Sequence, residues 1–197
     1  MSELTLLGLG SNVGDALETL TAAVHALNDV DGLAVEDLSG VYETPPWGGV
    51  EQEPFHNLVV RARTTLDPHA LLAETQLIEA AFGRDRRQEV RWGPRTLDID
   101  LLLVGEQVLD TPTLTLPHPR IAERAFVLVP LLEVLPGGRL PDGRRLTTLL
   151  AALAPIEDIE LVVRLEDVPG GRRARPEGPV GGRASFSRPE GEELGPW

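Results

Sequence analysis

The stretch Leu97-Asp98-Ile99-Asp100-Leu101-Leu102-Leu103-Val104 alternates aliphatic and acidic side chains before running into a continuous apolar end. Period-two alternation marks a β-strand, because successive side chains leave opposite faces of a sheet. In this reading Leu97, Ile99, Leu101 and Leu103 share one face, and Asp98 and Asp100 project together from the other. Carboxylates so related lie about 7 Å apart along the strand, close enough to share or bridge metal ions. A solvated strand face would carry the same pair, so the neighbouring sequence has to decide.

Immediately upstream, Arg84, Arg86, Arg87, Arg91 and Arg95 are opposed only by Asp85 and Glu89, a net charge of +3 over residues 84–95. Guanidinium forks and carboxylate-held divalent metal are complementary ways to grip a polyphosphate. A solvated loop could also be this rich in arginine. Trp92 weighs against that, since an aromatic has little reason to sit in a polar run unless it closes over something. Gly83 and Gly93 bracket the run as hinges of a lid. All 18 basic side chains are arginine; lysine is absent, as genome base composition alone could produce. That absence excludes a Walker A phosphate loop, which needs Gly-Lys-Ser/Thr.

Working outward, residues 4–10 read as a first strand that ends in a glycine turn. Residues 15–28 carry a helical stripe at Leu17, Leu20, Val24 and Leu27. Residues 33–44 and 55–65 read as strands. A second helix is capped by Asp67, opened by Pro68, striped by Leu71, Leu72, Thr75 and Ile78, and closed by Gly83. After the Asp-x-Asp strand come a hairpin through 105–109, short helices at 120–134 (interrupted by Pro130) and 147–154, and a last strand at 159–165. This interleaving predicts an α+β fold with a mostly antiparallel sheet. Residues 1–165 are expected to form one catalytic domain. Residues 166–197, dominated further on by Gly, Pro, Arg and Glu, are expected to be a flexible tail, having too few aliphatic residues to offset the ordering entropy.

A formal net charge of −13 argues against nucleic acid as partner. The local basic patch suits a small anionic ligand instead. With no cysteine, disulfides and thiolate metal sites are excluded. No stretch resembles a signal peptide or a membrane span, so a cytoplasmic protein with no membrane partner is expected; the chain is also expected to act as a monomer.

The ten residues Arg91-Trp92-Gly93-Pro94-Arg95-Thr96-Leu97-Asp98-Ile99-Asp100 resemble the signature of the 6-hydroxymethyl-7,8-dihydropterin pyrophosphokinase family of folate biosynthesis. Further segments match in order: Gly8-Leu9-Gly10-Ser11-Asn12, Tyr42 to Gly48, Phe55-His56-Asn57, Thr75 to Glu79, Leu116 to Arg120, and Arg124-Ala125-Phe126. The resemblance implies a ferredoxin-like fold and transfer of the terminal diphosphate of ATP to the pterin hydroxymethyl group, releasing AMP. It further implies two Mg²⁺ ions on Asp98 and Asp100. Arg84, one of Arg86 or Arg87, and Arg95 would neutralise the transferring group, with Arg84, Arg95, Asp98 and Asp100 as the catalytic set. Gln76, Glu79, His118 and Arg124 match nucleotide-side positions. Thr44, Pro45, Phe55, Asn57 and Phe126 match the pterin pocket, with Phe55 and Phe126 sandwiching the ring; Trp92 would serve both substrates. Asp98 is the nearest candidate for a general base.

Two other readings remain open on sequence. A metal-dependent nucleotidyltransferase or phosphohydrolase would use the same Asp-x-Asp without a pterin clamp. A non-catalytic ligand-binding module would need no metal, but leaves the arginine run unexplained.

Overall fold

The computed structural model describes residues 1–46, 52–84, 93–156 and 158–171. Among the described residues, eight strands and four α-helices follow the order β1 (Glu3–Ser11), α1 (Ala16–Asn28), β2 (Leu33–Leu38), β3 (Val41–Thr44), β4 (Phe55–Thr64), α2 (Pro68–Ala81), β5 (Asp98–Val104), β6 (Leu109–Asp110), β7 (Thr115–Leu116), α3 (Ala125–Val134), α4 (Leu146–Ala152) and β8 (Glu160–Val163). The main sheet runs β5-β1-β4-β3-β8, with β2 also paired to β4, and every pairing is antiparallel. This is the ferredoxin-like α+β arrangement expected from the sequence.

Local chemistry starts the helices where predicted. Asp15 accepts the Glu18 N–H at 2.9 Å and caps α1. Asp67 accepts from the backbone of His69 and Ala70 and caps α2, with Pro68 at its first position. Gly83 follows α2 at φ +84°, a conformation that favours glycine.

Both faces of the sheet are covered. Leu7, Leu9, Ile99 and Leu101 pack under α1 and α2 with Leu20, Val24, Leu27 and Leu71. Leu6, Tyr42, Val59 and Leu102 pack under α3 and α4 with Leu128, Leu131, Leu146 and Leu150.

Four local expectations are corrected. Residues 33–44 form two strands, because the chain breaks at Ser39-Gly40; β2 pairs with the far half of β4 and β3 with its near half. Leu103 does not share a face with Leu101: a register shift against Leu6 and Leu7 turns it toward the α3 side and returns Val104 to the other. The hairpin is formed by β6 and β7 around residues 111–114, not by a return at 105–109. Pro130 lies inside α3 without interrupting it, and the break comes earlier, at Arg124, between a 3-10 turn (Ile121–Glu123) and α3. An interior proline costs about 3 kcal/mol. Burial of Val127, Leu128, Val129, Leu131 and Val134, at roughly 1.5–3 kcal/mol each, outweighs it.

Beyond Glu166, Val168 is only 8% exposed and joins the core beneath α1 and α2. No helix among the described residues is long and apolar enough to cross a membrane.

Candidate active site

Sheet register builds the site. Gly10 of β1 stands opposite Asn57 of β4 and Asp98 of β5, and Gly8 stands opposite Val59 and Asp100. Two glycines on β1, an interior strand between β5 and β4, leave room between flanking side chains, and both line a pocket there. A Cβ built on Gly10 would lie 3.0 Å from Asn57 Oδ1. The sequence reading of Gly8 and Gly10 as a strand-to-helix turn is therefore corrected: both lie within β1 and form the pocket floor.

Thr44, Pro45, Phe55, Asn57 and Phe126 all line this pocket, together with Arg95, Asp98, Asp100 and Arg124. Asn57 Nδ2 donates to Thr44 Oγ1 at 2.8 Å in a buried contact, which fixes the amide and leaves Oδ1 toward the glycine floor. Arg124 lies over the Phe126 ring, 5.5 Å from its centroid.

Charge is distributed unevenly over the two carboxylates. Asp98 receives Arg84 Nη1 at 2.5 Å on one oxygen and Arg95 Nη1 at 3.3 Å on the other. Arg84 is itself held by Glu79, which is 1% exposed and also accepts the Ile99 N–H at 2.8 Å. Asp100 has looser company, with Arg124 Nη1 at 3.6 Å and His118 Nε2 at 3.8 Å from Oδ2. Burial, then the charge of Asp98, push its carboxyl up to about 6 despite Arg124. Its side chain still keeps 37% exposure, on the pocket side. Enclosure by surrounding protein, rather than complete loss of water contact, accounts for the shift.

His118 is lowered to about 4, chiefly by burial and then by Arg124 and Arg120. Its Nδ1 accepts the Arg120 N–H at 3.2 Å, so the neutral ring carries its proton on Nε2, the nitrogen that faces Asp100.

The residues expected on the nucleotide side divide. Arg124 lines the pocket and His118 flanks Asp100. Gln76 is exposed on α2, while Glu79 is buried beneath it and engaged with Arg84 and the β5 backbone. Arg86, Arg87 and Trp92 lie outside the described residues. Sequence reasoning assigned no role to Asn12, which joins two loop segments beside the pocket. Its signal was present only as the last residue of a matched motif.

Among the described residues no cluster of three or more His, Asp or Glu side chains could hold a metal ion. Magnesium does not need one, since one or two carboxylates suffice when substrate oxygens and water complete the shell. Asp98 and Asp100 fit that requirement. Both line the pocket, and the raised Asp100 carboxyl is one that a divalent cation would return to its charged form.

The family model for 7,8-dihydro-6-hydroxymethylpterin-pyrophosphokinase matches residues 6–136. The 2-amino-4-hydroxy-6-hydroxymethyldihydropteridine pyrophosphokinase of Pseudomonas aeruginosa is 44% identical over 160 residues, covering 81% of this chain and 97% of that protein. Its namesake from Methylorubrum extorquens is 48% identical over 157 residues, covering 78% and 97%. Among solved structures, the Plasmodium falciparum HPPK-DHPS wild type with pterin and p-hydroxybenzoate superposes with a TM-score of 0.65 at 15% identity. It covers 87% of this chain, which spans about half of that longer one (48%), and the likeness bears on the fold.

Proposed function

Because the chain belongs to the 7,8-dihydro-6-hydroxymethylpterin-pyrophosphokinase family, we propose that it transfers diphosphate from ATP to the hydroxymethyl group of 6-hydroxymethyl-7,8-dihydropterin, releasing AMP, in folate biosynthesis. The observation that carries this reading is the single glycine-floored pocket shared by Asn57, Phe55 and Phe126 with Asp98 and Asp100. A nucleotidyltransferase or phosphohydrolase would have no use for the first three.

In this mechanism Phe55 and Phe126 hold the flat pterin, and the fixed Asn57 amide reads its polar edge. The hydroxymethyl oxygen attacks the β-phosphorus in line, the bond from that phosphorus to the α,β-bridging oxygen breaks, AMP departs, and the hydroxyl proton passes to solvent. Arg95, which lines the pocket, and Arg84, buried behind Asp98 and held there also by Glu79, would neutralise charge on the transferring group. Arg124 balances Asp100. The neutral Nε2–H of His118 is a donor for a phosphate oxygen. Asp98 and Asp100 would hold two magnesium ions, which supply charge neutralisation at the phosphates when bound. No covalent nucleophile is required, since positioning and charge stabilisation suffice for this class of transfer. We further take the enzyme to be a cytoplasmic monomer with small-molecule substrates only, and residues 1–165 to carry the catalytic residues, with 166–197 as an appended segment that adds Val168 to the core.

The test is to incubate the purified chain with ATP and Mg²⁺, with and without 6-hydroxymethyl-7,8-dihydropterin, and to identify the nucleotide product. AMP formed only in the presence of the pterin is expected. ADP, or nucleotide hydrolysis indifferent to the pterin, would overturn the reading.

A further inference from the structure

The motif Gly8-Leu9-Gly10-Ser11-Asn12 gives its two glycines to the pocket floor, but its last residue has a separate place. Asn12 directly follows β1 and is 8% exposed. On one side its backbone N–H donates to the Arg95 carbonyl at 3.0 Å, and its Oδ1 accepts the Arg95 N–H at 2.7 Å. On the other side its Nδ2 donates to Gln52 Oε1 and to the Glu53 carbonyl, each at 3.0 Å. Neither partner segment belongs to a helix or strand, so neither has a ladder of its own to fix it.

Both segments lead straight into the site. Arg95 donates to Asp98, and Glu53 is followed closely by Phe55 and Asn57 of the pocket. One short side chain therefore sets the spacing between the segment bearing a phosphate-side guanidinium and the segment entering the ring clamp. The arrangement demands an amide. It needs an acceptor on one side and a donor with two hydrogens on the other, which a hydroxyl, a carboxylate or an aliphatic group of this size does not provide. A nearly buried polar group with all these partners is costly to remove, and the cost falls on the two segments it ties.

On the functional reading above, we infer that Asn12 is a positioning residue for diphosphoryl transfer, a strut that holds the Arg95 segment and the 52–54 segment at a fixed separation. It touches no reacting atom. Its removal acts through alignment, where a misplacement of about 1 Å costs on the order of 100-fold in rate.

The experiment uses the full chain and the variants Asn12→Ala and Asn12→Asp. The carboxylate of Asn12→Asp keeps the acceptor for the Arg95 N–H and loses the donor to Gln52 and Glu53. Deuterium exchange, which needs no turnover, should quicken in Asn12→Ala at the amides of residues 52–53 and of 93–97, while the ladders of β1, β4 and β5 stay protected. In Asn12→Asp it should quicken at 52–53 alone. In the pterin assay Asn12→Ala should lower kcat roughly 10-fold to 100-fold while moving the ATP KM little. Unchanged exchange at either segment in Asn12→Ala, exchange quickened across the whole sheet, or a kcat within about twofold of the parent would each overturn the strut. A parent chain that makes no pterin-dependent AMP would sink the functional reading and the rate effect with it. The exchange pattern would still decide whether Asn12 ties the two segments.

Discussion

At the scale of single residues, Asp98 and Asp100 differ more than their shared strand face suggests. Asp98 lies between Arg84 and Arg95, whereas Asp100 meets its cations only at 3.6 Å and 3.8 Å and has its carboxyl pushed up to about 6. Asp100→Asn removes an enclosed charge close to another carboxylate, so the fold should tolerate it and the melting temperature should hold or rise. On the proposed metal assignment turnover should fall on the order of 100-fold or more, because asparagine offers a divalent cation no anionic oxygen. Steady-state rates and a thermal melt on the same preparation check both halves, and substantial residual turnover would refute the metal assignment. Alternation along residues 97–101 is enough by itself to put the two carboxylates on one face. Glu79 is not legible in the same way. It stands three positions from Gln76 on α2, about 60° apart around a helix of 100° per residue. The boundary between core and solvent happens to fall between them, leaving Gln76 exposed and Glu79 1% exposed. Periodicity could not locate that boundary, because it depends on where α2 rests against β5.

At the scale of elements, the interior strand β1 decides the shape of the pocket. Glycine weakens a strand interior, so two of them in β1 need a reason. The reason is the cleft between Asn57 on one side and Asp98 and Asp100 on the other. Gly10→Ala would put a methyl group 3.0 Å from Asn57 Oδ1, displacing the amide from its Thr44 partner or filling the ring site. The pterin dissociation constant should rise about 10-fold, since a disturbed buried hydrogen bond costs about 1–2 kcal/mol, with a smaller effect on nucleotide affinity. Fluorescence titration of the pterin distinguishes this from a general loss of structure, which would weaken both ligands alike. The glycines were visible in the sequence, but their pairing partners lie some fifty and ninety positions away, so only register could reveal their use. The shift beside Leu6 and Leu7 escaped for a related reason: a bulge changes which face a residue takes without changing residue type.

At the scale of the whole molecule, one carboxylate ties the late part of the chain to the early part. Glu133 of α3 accepts from the Gly40 N–H at 2.7 Å, from the Tyr42 hydroxyl at 2.5 Å, and from both Arg164 Nη atoms at 3.0 Å. Burial alone would raise its pKa, but the bonds from Arg164, Tyr42 and Gly40 outweigh burial and hold it below the ordinary glutamate value. A depressed folded pKa contributes stability that is present above the ordinary value of 4.5 and lost as pH falls through the folded one. Glu133→Gln should therefore destabilise the protein by about 1–2 kcal/mol at neutral pH, a figure kept low because Arg164 is 36% exposed. The deficit should shrink in melts taken progressively below pH 4.5, and a deficit independent of pH would contradict the charge-based account. The layered α+β plan was legible from the sequence, since capped helices and alternating strands were plain. This tie was not, because it joins α3 to the sheet and to Arg164 through side chains that read as ordinary surface residues. On the proposed reaction, both outer phosphates of ATP pass together to a pterin held over the β1 glycines. The most direct measurement supplies ATP labelled separately at its β- and γ-phosphorus and follows each label into product. Both labels should arrive on the pterin in equal amount and leave unlabelled AMP; γ-label alone on the pterin with β-label left in ADP would refute diphosphoryl transfer.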